Sequence, residues 1–165
     1  RFSATARRYR YVIYNHPMRP ALMDKEVSWN YRPLDVESMQ QAANHLVGKH
    51  DFSSFRAAAC QANTPVRTIH HLQVIKAGDY IVLDVRANAF LHHMIRNLAG
   101  LLMKVGAGDA PSGWALEVLA AKDRRASAAT APPYGLYFVN AEYDDRFGLP
   151  EQLMGPHFLT PWMNA

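Results

Sequence analysis

Hydrophobic and polar positions alternate from Arg7 to Tyr14, with Tyr9, Tyr11 and Ile13 on one face and Arg8, Arg10 and Val12 on the other. That period of two predicts a half-buried β-strand. Asn15, Pro17 and Pro20 stop it. The period then becomes helical: Asp35 is placed to cap a helix in which Val36, Met39, Ala43, Leu46 and Val47 recur until Gly48 ends the run. His50 to Thr64, rich in Ser, Ala and Phe, is predicted to be an irregular loop.

Two extended runs follow, Val66 to Lys76 and Tyr80 to Ala89, joined by Ala77-Gly78-Asp79 as a β-hairpin. In the second run Ile81, Leu83, Val85, Ala87 and Ala89 share a face; Asp84, Arg86 and Asn88 take the other. A helix is expected to start directly after it, with Phe90, Leu91, Met94, Leu98, Leu101, Leu102 and Val105 as its apolar stripe and Gly106 as its stop. A further helix is predicted over Gly113 to Lys122 and a short one over Arg124 to Thr130. Pro132-Pro133 breaks the chain before a last strand, Leu136 to Tyr143. Beyond Leu149 no period survives. Residues 1–150 are therefore read as one domain and 151–165 as an arm or tail. Hairpins mixed with helices in this order predict an α+β fold.

Composition narrows the partner. The 165 residues carry a net charge of +4, and the pI is about 9.3, a balance that favours a polyanion. Arg1, Arg7, Arg8 and Arg10 fall in the first ten residues with no acid among them. No apolar run approaches the ~20 residues that cross a bilayer, so no membrane is expected. The single cysteine, Cys60, suits a reducing compartment, and a cytoplasmic location is expected. The chain opens Arg1-Phe2-Ser3, without an initiator Met or a leader, and is read as part of something longer or as a processed product.

Several chemistries fail on spacing. His70-His71 lie in a strand, where neighbours face opposite ways, and neither His92 nor His93 has a His, Cys or Asp four residues on, so no metal is expected. Gly106-Ala-Gly108 follows a helix instead of a strand, which makes it a helix stop and not a nucleotide fingerprint. Cys60 has no motif of a nucleophile, and there is no Gly-x-Ser-x-Gly elbow. The helix after the hairpin differs. His93, Arg96, Asn97, Gly100 and Lys104 form a polar face with no acid between Asp84 and Asp109, and Arg96 lies near the positive end of the helix dipole. Such an arginine suits a carboxylate or phosphate. Tyr9, an aromatic among arginines at a strand end, is what stacking on an exposed base requires.

Four blocks then point to a family. Arg7-Arg8-Tyr9-Arg10-Tyr11, His50-Asp51-Phe52-Ser53-Ser54-Phe55-Arg56-Ala57, the run Ala87 to Asn97 that contains His92-His93-Met94-Ile95-Arg96, and Thr130-Ala131-Pro132 with Gly135-Leu136-Tyr137 resemble the ordered motifs of TruA-type tRNA pseudouridine synthases. The resemblance runs from Arg1 to about Pro150. It implies the C-terminal part of such an enzyme: an antiparallel sheet with helices packed on one face, half of an α/β sandwich. The implied reaction converts uridine to pseudouridine at positions 38 to 40 of the tRNA anticodon stem-loop, with no cofactor, in a homodimer. The resemblance implies that Tyr9 stacks on the target base, Leu136 lines its pocket, and Arg96 pairs with a catalytic aspartate. Arg1 and the loop Ala59, Cys60, Gln61, Ala62 and Asn63 are implied to touch tRNA; Arg7, Arg8, Arg56, His93 and Asn97 join them as RNA-facing side chains. The family's Arg-Thr-Asp-Ala-Gly-Val-His-like segment has no counterpart in this chain, and Asp51, Asp84 and Asp123 match other positions. A basic RNA-binding module without chemistry is the alternative.

Overall fold

The computed structural model describes residues 3–149 and 155–159. The predicted first strand is β1, Ala6–Asn15. It is the spine of a six-stranded sheet. The hairpin β4 (Val66–Ala77) and β5 (Tyr80–Ala87) lies on one side of it, turning at Gly78, whose φ of +60° suits a residue without a Cβ. Beyond β4 lies β3, Gly48–Asp51. On the other side β1 is shared: β2 (Ser28–Asn30) runs parallel to its last residues, while β6 (Leu136–Glu142) runs antiparallel to Ala6–Tyr11. All pairings but the first are antiparallel.

Three helices cover one face: α1 (Val36–Asn44), α2 (Met94–Gly106) and α3 (Trp114–Ala121). The α+β class is as expected. The alternation in β1 fixes which face they cover. Tyr11 and Ile13 go into the main core with Leu83, Val85 and the apolar stripe of α2, and Tyr9 packs against its edge. Val12 goes to the opposite face, into a small cluster with Val27, Val82 and Leu159. That opposite face is otherwise ionic. Arg8 clasps Asp84 with two bonds of 2.6–2.7 Å, Arg10 shares the same carboxylate at 3.3 Å, and Arg86 meets Glu142. Asp84 is 1% exposed and is enclosed by two guanidiniums, the pairing that a buried acid needs.

The β1–β6 register slips by one residue. Tyr9 faces Phe138 but Arg8 faces Asn140, so Val139 is the extra residue of a bulge. Leu136 and Phe138 consequently share the helix-covered face with Tyr11 and Tyr9, whereas Asn140 and Glu142 lie on the ionic face.

Four boundaries differ from the periodicity. Asp35 does cap α1, accepting from the Glu37 and Ser38 amides, but the helix ends at Asn44; Leu46 reaches the core from the turn beyond. His50 lies in β3, not in a loop, and Ser53–Phe55 make a 3-10 turn. The helix expected from Phe90 begins only at Met94. The Asn88 carboxamide accepts from the Thr68 and Ala89 amides and closes a turn there, and His93 sits in the left-handed region at φ 60°. Arg124–Ala126 form one 3-10 turn in place of a helix reaching Thr130.

The segment 129–132 lies against α2 at Gly100. A Cβ at Gly100 would stand 2.1 Å from the Ala129 carbonyl oxygen. Gly100→Ala is therefore expected to destabilise the chain by about 1–3 kcal/mol through overpacking, read as a lower urea midpoint with an unchanged slope; an unaltered midpoint would show that the segment docks loosely.

Candidate functional site

The sheet brings Tyr9, Phe90, Leu136 and Phe138 to the end of the helix-covered face. Tyr9 meets Phe90 and Phe138 edge to face, with ring centroids 5.3 and 5.4 Å apart, a geometry that orients the ring beyond the gain from burial. Tyr9 itself stays only partly buried. One step along β1, Tyr11 pairs with Leu136 and its hydroxyl donates to the Pro132 carbonyl at 2.8 Å. Burial pushes the Tyr11 phenol up to about 12, against the pull of the Ser28 hydroxyl and the Arg96 charge. The phenol stays protonated and keeps donating.

Arg96 approaches from α2 toward the same segment. Its Nε donates to the Ala131 carbonyl at 2.8 Å, and the Ala131 amide returns a bond to the Arg96 carbonyl at 3.1 Å. Its Nη1 lies 3.2 Å from His93 Nε2. The guanidinium is thus held on two sides. Among the described residues its Nη2 has no hydrogen bond and no acid pairs with it, while every arginine described above on the ionic face has its carboxylate. Arg96 and Tyr9 are linked through Ala131, Pro132 and Tyr11: one bonds Ala131, and the other lies on the face where Tyr11 bonds Pro132.

The loop before β4 comes in at the same end. Arg56 Nη2 donates to the Cys60 and Ala62 carbonyls at 2.9 and 2.7 Å and folds residues 56–62 around itself. The His92 amide donates to Cys60 Sγ, and the Ala57 amide to the His92 carbonyl. Ala59, Gln61 and Asn63 are exposed, Cys60 and Ala62 partly so. Arg7, on the Tyr9 face, donates to the Asn88 carbonyl. His92 and His93 stack at 4.0 Å.

Two expected RNA-facing residues are not brought to this surface. Arg8 belongs to the ionic face, spent on Asp84, because strand alternation sends it away from Tyr9. Asn97 is fully buried: its Nδ2 donates to the Phe55 carbonyl at 2.8 Å and its Oδ1 accepts from the Thr130 hydroxyl at 2.7 Å. The polar face read along α2 is thus open at His93, Arg96 and Lys104 and closed at Asn97 and Gly100. Arg1 lies outside the described residues. Conversely, sequence reasoning assigned no role here to Phe90, Phe138 or Ala131. Phe138 follows Leu136 at strand spacing, which was signal enough; the Ala131 carbonyl gave none.

Among the described residues no three His, Cys, Asp or Glu side chains gather closely enough to hold a metal ion, and no helix is long and apolar enough to cross a membrane. A concavity of about 820 Å³ lies elsewhere, between α1 and β4, lined in part by Gln40, Val47 and Val74.

A family model described as tRNA pseudouridine synthase matches residues 42–144, which include Arg96 and Leu136. Relatives named tRNA pseudouridine synthase A are 61% identical in Pseudomonas aeruginosa, 54% in Alcanivorax borkumensis and 57% in Escherichia fergusonii. The matches cover 97%, 100% and 97% of this chain, but it spans only 56%, 62% and 59% of those relatives' lengths. With the matched region spanning most of the sheet and the helix that carries Arg96, the chain belongs to the tRNA pseudouridine synthase family.

Proposed function

We propose that this chain forms one wall of a centre that isomerises uridine to pseudouridine at positions 38 to 40 of the tRNA anticodon stem-loop. The observation that carries the reading is Arg96, fixed on two sides and lacking a carboxylate, beside an aromatic-lined surface. The acids within reach of the motif blocks are engaged. Asp51 accepts from the Ser53 amide and hydroxyl, Asp84 is enclosed by Arg8 and Arg10, and Asp123 accepts from the Arg125 amide and side chain. The aspartate that answers Arg96 is taken to be the one that the resemblance implies, in the Arg-Thr-Asp-Ala-Gly-Val-His-like segment that has no counterpart in this chain. A neighbouring guanidinium keeps such an acid ionised, as an attack on the nucleotide requires.

In this mechanism the target base leaves its stack at a cost of a few kcal/mol. Stacking on Tyr9, worth about 1–3 kcal/mol per base, offsets part of that cost, and Leu136 gives the base an apolar side. The aspartate attacks as the N1–C1′ glycosidic bond breaks; uracil turns, its C5 displaces the carboxylate from the ribose, and the proton lost from C5 is matched by one gained at N1. Atoms and electrons are conserved, so the chemistry asks for no cofactor. Arg7, Arg56, His93 and the loop Ala59–Asn63 hold the RNA. A homodimer whose tRNA spans both subunits, in the cytoplasm, belongs to the same proposal.

His93 accepts from Arg96 only as a neutral ring. Burial lowers its pKa from 6.5, and the charges of His92 and Arg96 act in the same direction. With the folded value below the unfolded one, the contact is intact above pH 6.5 and is lost as pH falls through the lowered value. An NMR titration should place the His93 midpoint below 6.5, and Arg96→Gln should raise it; a midpoint at or above the ordinary value contradicts the contact.

Two further outcomes test the function itself. Affinity of the chain for tRNA should fall about 20- to 40-fold between 50 and 200 mM salt if three phosphates are neutralised; binding indifferent to salt would sink the RNA reading. The 165 residues alone should convert no uridine. Joined to the N-terminal portion of the Pseudomonas aeruginosa relative they should, and Arg96→Met should then cost about 3–5 kcal/mol, roughly 150- to 5,000-fold in kcat/KM, because a carboxylate is left unpaired. Full activity in that variant would remove Arg96 from the mechanism and leave a basic RNA-binding module.

A further inference from the structure

We propose that Asn97 is a positioning residue for Arg96, and that its second bond ties the placement of the guanidinium to the loop 56–63. This rests on the reading of Arg96 given above. The two residues are neighbours on the first turn of α2, yet their side chains part: Arg96 is partly exposed, and Asn97 has no exposed surface. Each bond of the Asn97 carboxamide ends one residue short of something the proposed centre uses. Thr130 precedes Ala131, whose carbonyl holds Arg96 Nε. Phe55 precedes Arg56, whose guanidinium shapes the loop through the Cys60 and Ala62 carbonyls.

The carboxamide can sit only one way round. Turned over, its oxygen would face the Phe55 carbonyl, two acceptors with no proton between them, so the amino group stays on Phe55 and Oδ1 is left to accept from the Thr130 hydroxyl. The Thr130 oxygen in turn accepts from Arg124 Nη2 at 2.9 Å. A buried amide with both ends satisfied fixes the separation of the two segments it joins. Gly100, one turn along α2, admits the segment close enough for the Thr130 bond to form. RNA drawing on the loop therefore acts on one end of a link whose other end sets the carbonyl that holds Arg96.

Two near-isosteric variants separate the arms. Asn97→Asp keeps the acceptor and removes the donor to Phe55; Thr130→Val, at an exposed position, removes the donor to Asn97. The readout is solvent exchange of the Arg96 Nε–H proton in the ¹⁵N-labelled chain without RNA, its signal identified by its loss in Arg96→Lys. Each variant is expected to speed that exchange by about tenfold, the loss of roughly one hydrogen bond, and Asn97→Asp is also expected to shift the amides of Cys60 to Asn63. An unchanged Arg96 signal in both variants, with only the melting midpoint lowered, would overturn the proposal and make Asn97 core support. A second arm adds anticodon stem-loop RNA. If the loop amides respond, the Arg96 signal should move in the parent chain and not in Thr130→Val; its failure to move in the parent refutes the coupling. If no RNA binds, the functional reading fails while the RNA-free result still decides what Asn97 does.

Discussion

The site depends on the docking of one irregular segment, residues 129–132, against the first two turns of α2. Gly100 removes the side chain that would keep them apart, paired backbone and side-chain bonds join Arg96 to Ala131, Thr130 donates to the buried Asn97 carboxamide, and Pro132 accepts from the buried Tyr11 hydroxyl. None of these contacts is strong alone, since a hydrogen bond contributes about 1 kcal/mol net. Together they place an arginine by its carbonyl partner instead of by an acid. An arginine held by carbonyls keeps its full charge for something else.

The sheet supports this by separating its two faces by chemistry. Alternation in β1 and β5 sends Tyr9, Tyr11, Ile13, Leu83 and Val85 toward the helices, and Arg8, Arg10, Asp84 and Arg86 to the far side, beside the cluster of Val12, Tyr14 and Val82. There the cations are neutralised within the fold, at low exposure, where an unpaired charge would be costly. The charge that remains available on the helix-covered side is therefore small in number and fixed in place. The aromatic contacts of Phe90 and Phe138 do for the Tyr9 ring what Ala131 does for Arg96: they hold it without covering it.

Much of this was legible beforehand. The strand, the hairpin, the cap at Asp35 and the apolar stripe of α2 are periodic or capped features, and their residues lie as the pattern indicates. What escaped was set by tertiary bonds. β2 is three residues long and carries no period; it aligns beside β1 because the Asn15 carboxamide donates to the Asn30 and Arg32 carbonyls. The start of α2 was misplaced because Phe90 and Leu91 continue its stripe while the Asn88 turn and the left-handed His93 interrupt its backbone. At the site, residue type identified Tyr9, Arg96 and Leu136 as candidates; the fold puts Tyr9 and Leu136 on one face of the sheet and bonds Arg96 to the segment that Tyr11 also reaches. Residue type could not say that Arg8 faces away or that Asn97 lies inside, since charge and polarity do not report which neighbour satisfies them.

The extra residue at Val139 has a consequence for how charge is sorted along β6. Upstream of it the strand lends Leu136 and Phe138 to the helix-covered side; downstream it lends Glu142 to Arg86 on the reverse. A strand of unbroken parity would turn that glutamate toward the same side as Arg7, away from the guanidinium it now pairs with. One inserted backbone unit lets a single strand serve two surfaces of opposite electrical character, and it makes the length of that strand as constrained as its composition.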